Sequence, residues 1–150
     1  MYRLIVKRLV HQSFQSLSQG DYEKVLKQFA PTIHFAFTGE HILGGERHGV
    51  QAMKQWFQRF FQLLPGLQFQ VHTVLVNGWP WNTVVATHFS VQTTLQDGRP
   101  YHNTGVQLLR LRWGKAVEDF IYEDTQKLAS LLQQLDQQGA SEASTSQKRD

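Results

Sequence analysis

Residues 97–124, "DGRPYHNTGVQLLRLRWGKAVEDFIYED", read as two β-strands, each entered through a glycine turn. Asp97-Gly98 is a hairpin signal, because both residues tolerate positive φ. A strand over Tyr101 to Trp113 follows, Gly114 turns it, and a second strand covers Lys115 to Glu123. Asp124 or Thr125 then caps a helix with Leu128, Leu131, Leu132 and Leu135 on one side.

The same period of two extends upstream. Leu67, Phe69, Val71, Thr73 and Leu75 alternate with Gln68, Gln70 and His72, and Val85, Phe89 and Val91 carry the next strand. Between them lies "VNGWPWNTVV", residues 76–85. Pro80 has no N–H for a sheet ladder, which predicts a bulge or wide turn presenting Trp79 and Trp81 to opposite sides. Three roles compete for these rings: lining a pocket mouth, forming a dimer interface, or packing against a helix. Each of them buries the turn.

The first third has a helical period. Val6, Val10, Phe14 and Leu17 form one stripe, Gly20 ends that helix, and Asp21 caps a short second one bearing Tyr22, Val25, Leu26 and Phe29, which Pro31 stops. "TIHFAFTGEHILGGERH" alternates as a strand that Gly44-Gly45 turns into a short hairpin. A third helix, from about Gly49 to Leu64, carries Val50, Met53, Phe57, Phe60 and Leu64, widened by Trp56, Phe61 and Leu63. So broad an apolar face predicts contact with the core and with a cavity or partner. Helices grouped on one side of a long-stranded antiparallel sheet make an α+β domain. A twisted sheet that curls around such helices leaves one open end, and therefore a pocket. The domain is expected over residues 1–136, with 137–150, "QQGASEASTSQKRD", as a disordered polar tail that has no apolar side chain larger than alanine.

Composition narrows the function classes. The formal charge is +3, but the cations are scattered rather than gathered in the stripe that nucleic acid requires, so no nucleic-acid partner is expected. There is no cysteine and hence no thiolate chemistry. The N-terminal "MYRLIVKRLVHQSF" has cations inside its apolar run, unlike a signal peptide, and nothing approaches the roughly 18 apolar residues of a membrane span. A soluble, cytoplasmic protein with no membrane partner is expected. None of the seven histidines forms an i, i+4 helical pair or an H-x-H strand pair beside a carboxylate, so no metal site is expected.

Three segments, "SQGDYEKVLKQFAPTIHFAFTG", "GGERHGVQAMKQWF" and "DGRPYHNTGVQLLRLRWGKAVEDFIYEDTQKLASLLQQL", give the chain a resemblance to the NTF2-like superfamily, in particular its SnoaL-like and ketosteroid-isomerase-like members. The resemblance covers residues 1 to about 136. It implies a cone: a curved antiparallel sheet around a pocket covered by three N-terminal helices, plus a C-terminal helix. It also implies no cofactor, a small apolar ligand, and a homodimer through the convex face of the sheet. The isomerase pattern places an aspartate base where this chain has Phe37, and a tyrosine where it has Ser13 or Phe14. Phenylalanine cannot take a proton, so that mechanism is not expected. The hydrolase members place an aspartate at position 121, here Ile121.

Strand parity selects the remaining candidates. Val117, Asp119 and Ile121 are expected to face inward, which makes Asp119 the candidate general base. His88 or Tyr101 is expected to donate to a developing oxyanion. Asn103, Phe37, Trp56, Phe60, Trp81 and Trp113 are expected to line the ligand pocket. The implied activity is isomerase, cyclase or dehydratase chemistry by proton transfer. The alternative is a non-catalytic dimeric binding or interaction module, whose cavity its own side chains fill.

Overall fold

The computed structural model describes the backbone of residues 1–147 and the side chains of residues 1–139. Its elements are α1 (Tyr2–Ser18), α2 (Tyr22–Leu26), β1 (Phe29–Phe37), β2 (Gly45–His48), α3 (Val50–Leu63), β3 (Gln68–Trp79), β4 (Asn82–Thr94), β5 (Pro100–Arg112), β6 (Lys115–Glu123) and α4 (Thr125–Gln147). The six strands form one curved, unclosed sheet in the order β2-β1-β6-β5-β4-β3. The β1–β6 pair is parallel and every other pair antiparallel. This is the α+β, NTF2-like cone.

Each helix is held by the stripe read from its spacing. Val6, Val10 and Phe14 of α1 are buried, and Phe14 packs on Phe69 of β3 and Phe89 of β4 at 5.8 and 5.3 Å. Met53, Trp56, Phe57 and Phe60 of α3 are buried too. The Trp56 indole N–H donates to the Leu43 carbonyl at 2.8 Å, which ties the β1–β2 loop to the helix. Asp21 makes no side-chain cap bond; its carboxylate pairs with Lys24 at 3.3 Å.

Irregularities interrupt β3 and β1. His72 is the extra residue of a bulge in β3, between the pairs Val71–Phe89 and Thr73–His88. Beyond it Val74 turns inward and Leu75 is exposed, the reverse of unbroken alternation. Pro31 lies within β1, where the register with β6 shifts between Phe29 and His34, so it accommodates that irregularity rather than ending α2.

The backbone is helical from Thr125 to Gln147, so α4 runs into the stretch expected as a polar tail, and residues 148–150 lie outside the described ones. Leu128, Leu131 and Leu132 anchor the helix to the core. The Gln, Glu and Ala that follow are good helix formers, and an anchored helix extends without a new nucleation cost.

Candidate functional site

The interior of the cone is an apolar cavity of about 130 Å³, to which all three N-terminal helices contribute. Trp56, Phe57 and Phe60 of α3 face Phe35 and Phe37 of β1 across one wall. Centroid distances of 4.7 Å for the tilted Phe35–Trp56 pair and 4.8 Å for the stacked Trp56–Phe60 pair make that wall a continuous aromatic cluster. Leu9 and Ser13 of α1, Gln28 and Gly114 line the cavity's more exposed end. The Ser13 hydroxyl donates to the Gln28 Oε1 there at 2.9 Å.

The polar groups inside come from β5 and β6. Asp119 lines the cavity at 5% exposure. Gln107, across the antiparallel ladder, donates its Nε2–H to Asp119 Oδ1 at 2.9 Å. Burial in this apolar wall disfavours the carboxylate and raises the Asp119 pKa to about 7, with the Gln107 bond pulling the other way. Glu123 enters the same cavity, and burial raises its pKa to about 7 as well. Its room comes from Gly105, directly opposite on β5: a Cβ there would lie 2.7 Å from Glu123 Cγ and 2.9 Å from Phe89 Cζ. Four residues along one strand separate the two carboxyls by about 13 Å of backbone, too far to share one proton. Each titrates against the apolar wall on its own.

Parity on β6 is itself set by a bulge. The pairs Arg110–Glu118 and Leu111–Ala116 leave Val117 without a partner, so Ala116, Asp119, Ile121 and Glu123 are the lining residues of β6. Asp119, Phe37, Trp56 and Phe60 therefore stand where the sequence placed them. Glu123 was missed. The available signal was its shared parity with Asp119 and Ile121, opposite a glycine.

Five other candidates lie elsewhere. His88 is exposed on the outer face of β4 and packs beside His72 at 5.1 Å, because the inward residues of that strand are Thr83, Val85, Thr87, Phe89 and Val91. Tyr101 and Asn103 are buried but outside the cavity lining. Asn103 Nδ2–H donates to the Tyr101 hydroxyl at 3.0 Å and to the Asp124 carbonyl at 3.1 Å, so this pair fastens the β6–α4 junction. Burial pushes the Tyr101 phenol up to about 12. Trp81 and Trp113 are 56% and 74% exposed and line no part of the cavity. Pro80-Trp81 is a tight two-residue turn closed by the Trp79–Asn82 pair, a position where Pro80 needs no N–H partner in the ladder. Trp79 and Trp81 consequently stack at 6.0 Å with 14° between their planes instead of diverging. Trp113, at φ 51° in the β5–β6 turn, joins them 6.4 Å from Trp81.

Among the described residues, His34, Glu46 and His48 could hold a metal ion, with ligand atoms within 4.8 Å of one another. They meet across the β1–β2 ladder, a grouping that same-strand spacing does not reveal. His34 alternates with Ile33 and Phe35, which are buried in the core, so this cluster lies on the outer face, away from the cavity.

A SnoaL-like domain family model matches residues 10–119. The fold is similar to PrhC from Penicillium brasilianum, with a TM-score of 0.78 and 16% identity over 93% of each chain. It is also similar to an NTF2-like protein of unknown function from Burkholderia pseudomallei, with a TM-score of 0.69 and 22% identity over 84% of this chain and 95% of that one. A third similar structure is TerC co-crystallised with polyporic acid, with a TM-score of 0.66 and 20% identity over 83% of this chain and 95% of that one. Identities this low establish a shared fold and nothing more. No curated protein matches the chain. With the family match spanning most of the chain and an NTF2-like fold built as described, the protein belongs to the SnoaL-like domain family.

Proposed function

We propose that the cone binds a small apolar, ring-containing molecule and that Asp119 moves a proton on it, in a cofactor-independent isomerisation, cyclisation or dehydration. The observation that carries this reading is the Asp119 carboxyl, buried in an aromatic and aliphatic wall, held by Gln107 and raised to about 7. A base poised near neutrality is present in both protonation states at working pH, which is what proton transfer requires. Glu123 takes the donor role first assigned to His88 and Tyr101. Its carboxyl is also raised to about 7, so a neutral, donating form is populated at the far end of the same cavity. The cavity volume is comparable to the roughly 150 Å³ apolar voids that admit one benzene-sized ring, so a larger ligand must extend through the open end. TerC, co-crystallised with polyporic acid, supports ligand binding by this fold.

The experiment is a thermal-shift screen of aromatic, polyketide-like and terpenoid compounds against wild type and Asp119→Asn. A ligand that binds only the folded state raises Tm. Conversion by wild type, with a rate limb near pH 7, and retained binding without conversion by Asp119→Asn are expected. Equal conversion by both proteins would remove Asp119 from the mechanism.

The dimer belongs to the same reading. On the outer face, Leu75, Ala86, Leu108 and Phe120 are consecutive partners across β3, β4, β5 and β6. Leu75 and Leu108 are exposed. Such an apolar row suits a two-fold sheet interface. Leu108→Lys should convert a dimer to a monomer in analytical ultracentrifugation, and an unchanged mass would refute this interface.

A further inference from the structure

We propose that the end of the cone around the cavity mouth docks on an anionic lipid bilayer, with Trp79, Trp81 and Trp113 as interfacial anchors. These rings are exposed, packed mainly on one another, and carried on two adjoining hairpin turns. The Trp113 N–H donates to the Pro80 carbonyl at 2.7 Å, which locks the turns together. The start of α1 joins the same end: Tyr2 hydrogen-bonds Thr83, and the Thr83 hydroxyl donates to the Trp79 carbonyl at 2.7 Å. Met1, which precedes α1, and Leu4 and Ile5 in its first turn are exposed there too.

Charge identifies the occupant. Residues 1–20, 79–83 and 111–116 contain no Asp or Glu but supply Arg3, Lys7, Arg8, Arg112 and Lys115, all exposed. Glu118, the first acid along β6, is held by Arg110 at 3.0 Å. Tryptophan settles at the headgroup level of a bilayer, and Lys and Arg beside it gain from anionic lipid. A two-fold pairing of this end with a second copy would bring two basic sets together, which like-charge repulsion opposes. The expectation of no membrane partner rested on the missing span, and no described helix is long and apolar enough to cross a membrane. Surface docking needs no span.

The mouth gives the docking a use. Leu9 of α1 and Gly114, next to Trp113, both line the cavity. A docked molecule would set the apolar opening against the acyl boundary, where an apolar ligand concentrates. The docking surface does not depend on what the cavity holds, so its failure leaves the proton-transfer reading intact.

The test is cosedimentation of the full chain with vesicles of phosphatidylcholine and phosphatidylglycerol in equal parts, beside pure phosphatidylcholine, at low salt. Tryptophan emission is followed in parallel, since three of the four tryptophans lie at this end. Binding to the mixed vesicles with a blue shift, weakened by added salt, is expected. The variant W79S/W81S/W113N should lose it, and K7Q/R8Q should weaken it by about fivefold per cation removed. The proposal is overturned if wild type stays in the supernatant, if it binds pure phosphatidylcholine equally well, or if K7Q/R8Q binds like wild type. It is also overturned if the tryptophan variant keeps full binding, or if wild type self-associates through the tryptophans and ignores vesicles.

Discussion

At the wall between α3 and β1, Trp56 is 6% exposed, packs on Phe35, Phe37, Phe57 and Phe60, and satisfies its N–H on Leu43. At the β3–β4 turn, Trp81 is 56% exposed and packs on two other exposed tryptophans. One ring is held by everything around it. The other is held by a backbone turn that would close equally well with a smaller residue. The contrast separates two settings of one residue type. A buried aromatic with a satisfied N–H contributes to folding, whereas an exposed aromatic cluster contributes little to it and is open to a partner outside.

The contrast breaks first at Trp56. Trp56→Ala removes the centre of the aromatic cluster and leaves the Leu43 carbonyl to its second donor, the Arg47 Nη1–H at 3.2 Å. A loss of about 3–5 kcal/mol is expected in urea unfolding. A cost under about 1 kcal/mol would mean that the wall is not a packed unit.

Asp119 gives the next effect, with the opposite sign. Its folded pKa of about 7 lies above the ordinary aspartate value of 3.8, so the native state binds more protons between those values and stability falls as pH rises through that window. Above it the cost is constant. Asp119→Asn keeps an oxygen for Gln107 and removes the charge. It should stabilise the protein at pH 8 by about 4 kcal/mol and leave pH 3 unchanged. A Tm difference independent of pH would show that burial does not set this carboxyl.

Asn103 sharpens the division between cavity and scaffold. Asn103→Leu removes the bonds to Tyr101 and Asp124, for a loss of about 1–3 kcal/mol. Because Asn103 lines no part of the cavity, ligand affinity at a temperature where the variant is folded should not change. A weakened affinity would return Asn103 to the site.

What could be read from the chain followed periodicity. The Val6–Val10–Phe14 stripe, the broad face of α3 and the hairpin turns at Gly98 and Gly114 are local signals, and each reappears as an element or its boundary. Asp119 was legible because the bulge at Val117 lies before it and leaves 119 and 121 on the expected face. His88 was not, because its parity depends on which side of β4 meets α1, and Phe14 settles that by packing on Phe89. Trp113 follows the parity of β5, yet the turn takes its backbone to positive φ and carries the ring outward. Tyr101 lies on the correct face but too far along the strand. Alternation reports the side of a sheet and not the distance from a cavity.

The smallest effect completes the comparison. Trp81→Ala removes a ring as large as that of Trp56, yet the expected cost is within about 0.5 kcal/mol, the range of surface substitutions that touch no core contact. The Trp79–Asn82 pair and the Trp113 N–H bond to the Pro80 carbonyl are backbone features and survive the change. Urea unfolding of the two variants side by side reads the difference directly. Near-native stability for Trp81→Ala beside a large loss for Trp56→Ala places the turn outside the folding core. A loss at Trp81 approaching that at Trp56 would make the exposed cluster a structural unit, and its rings would then need no external partner to explain them.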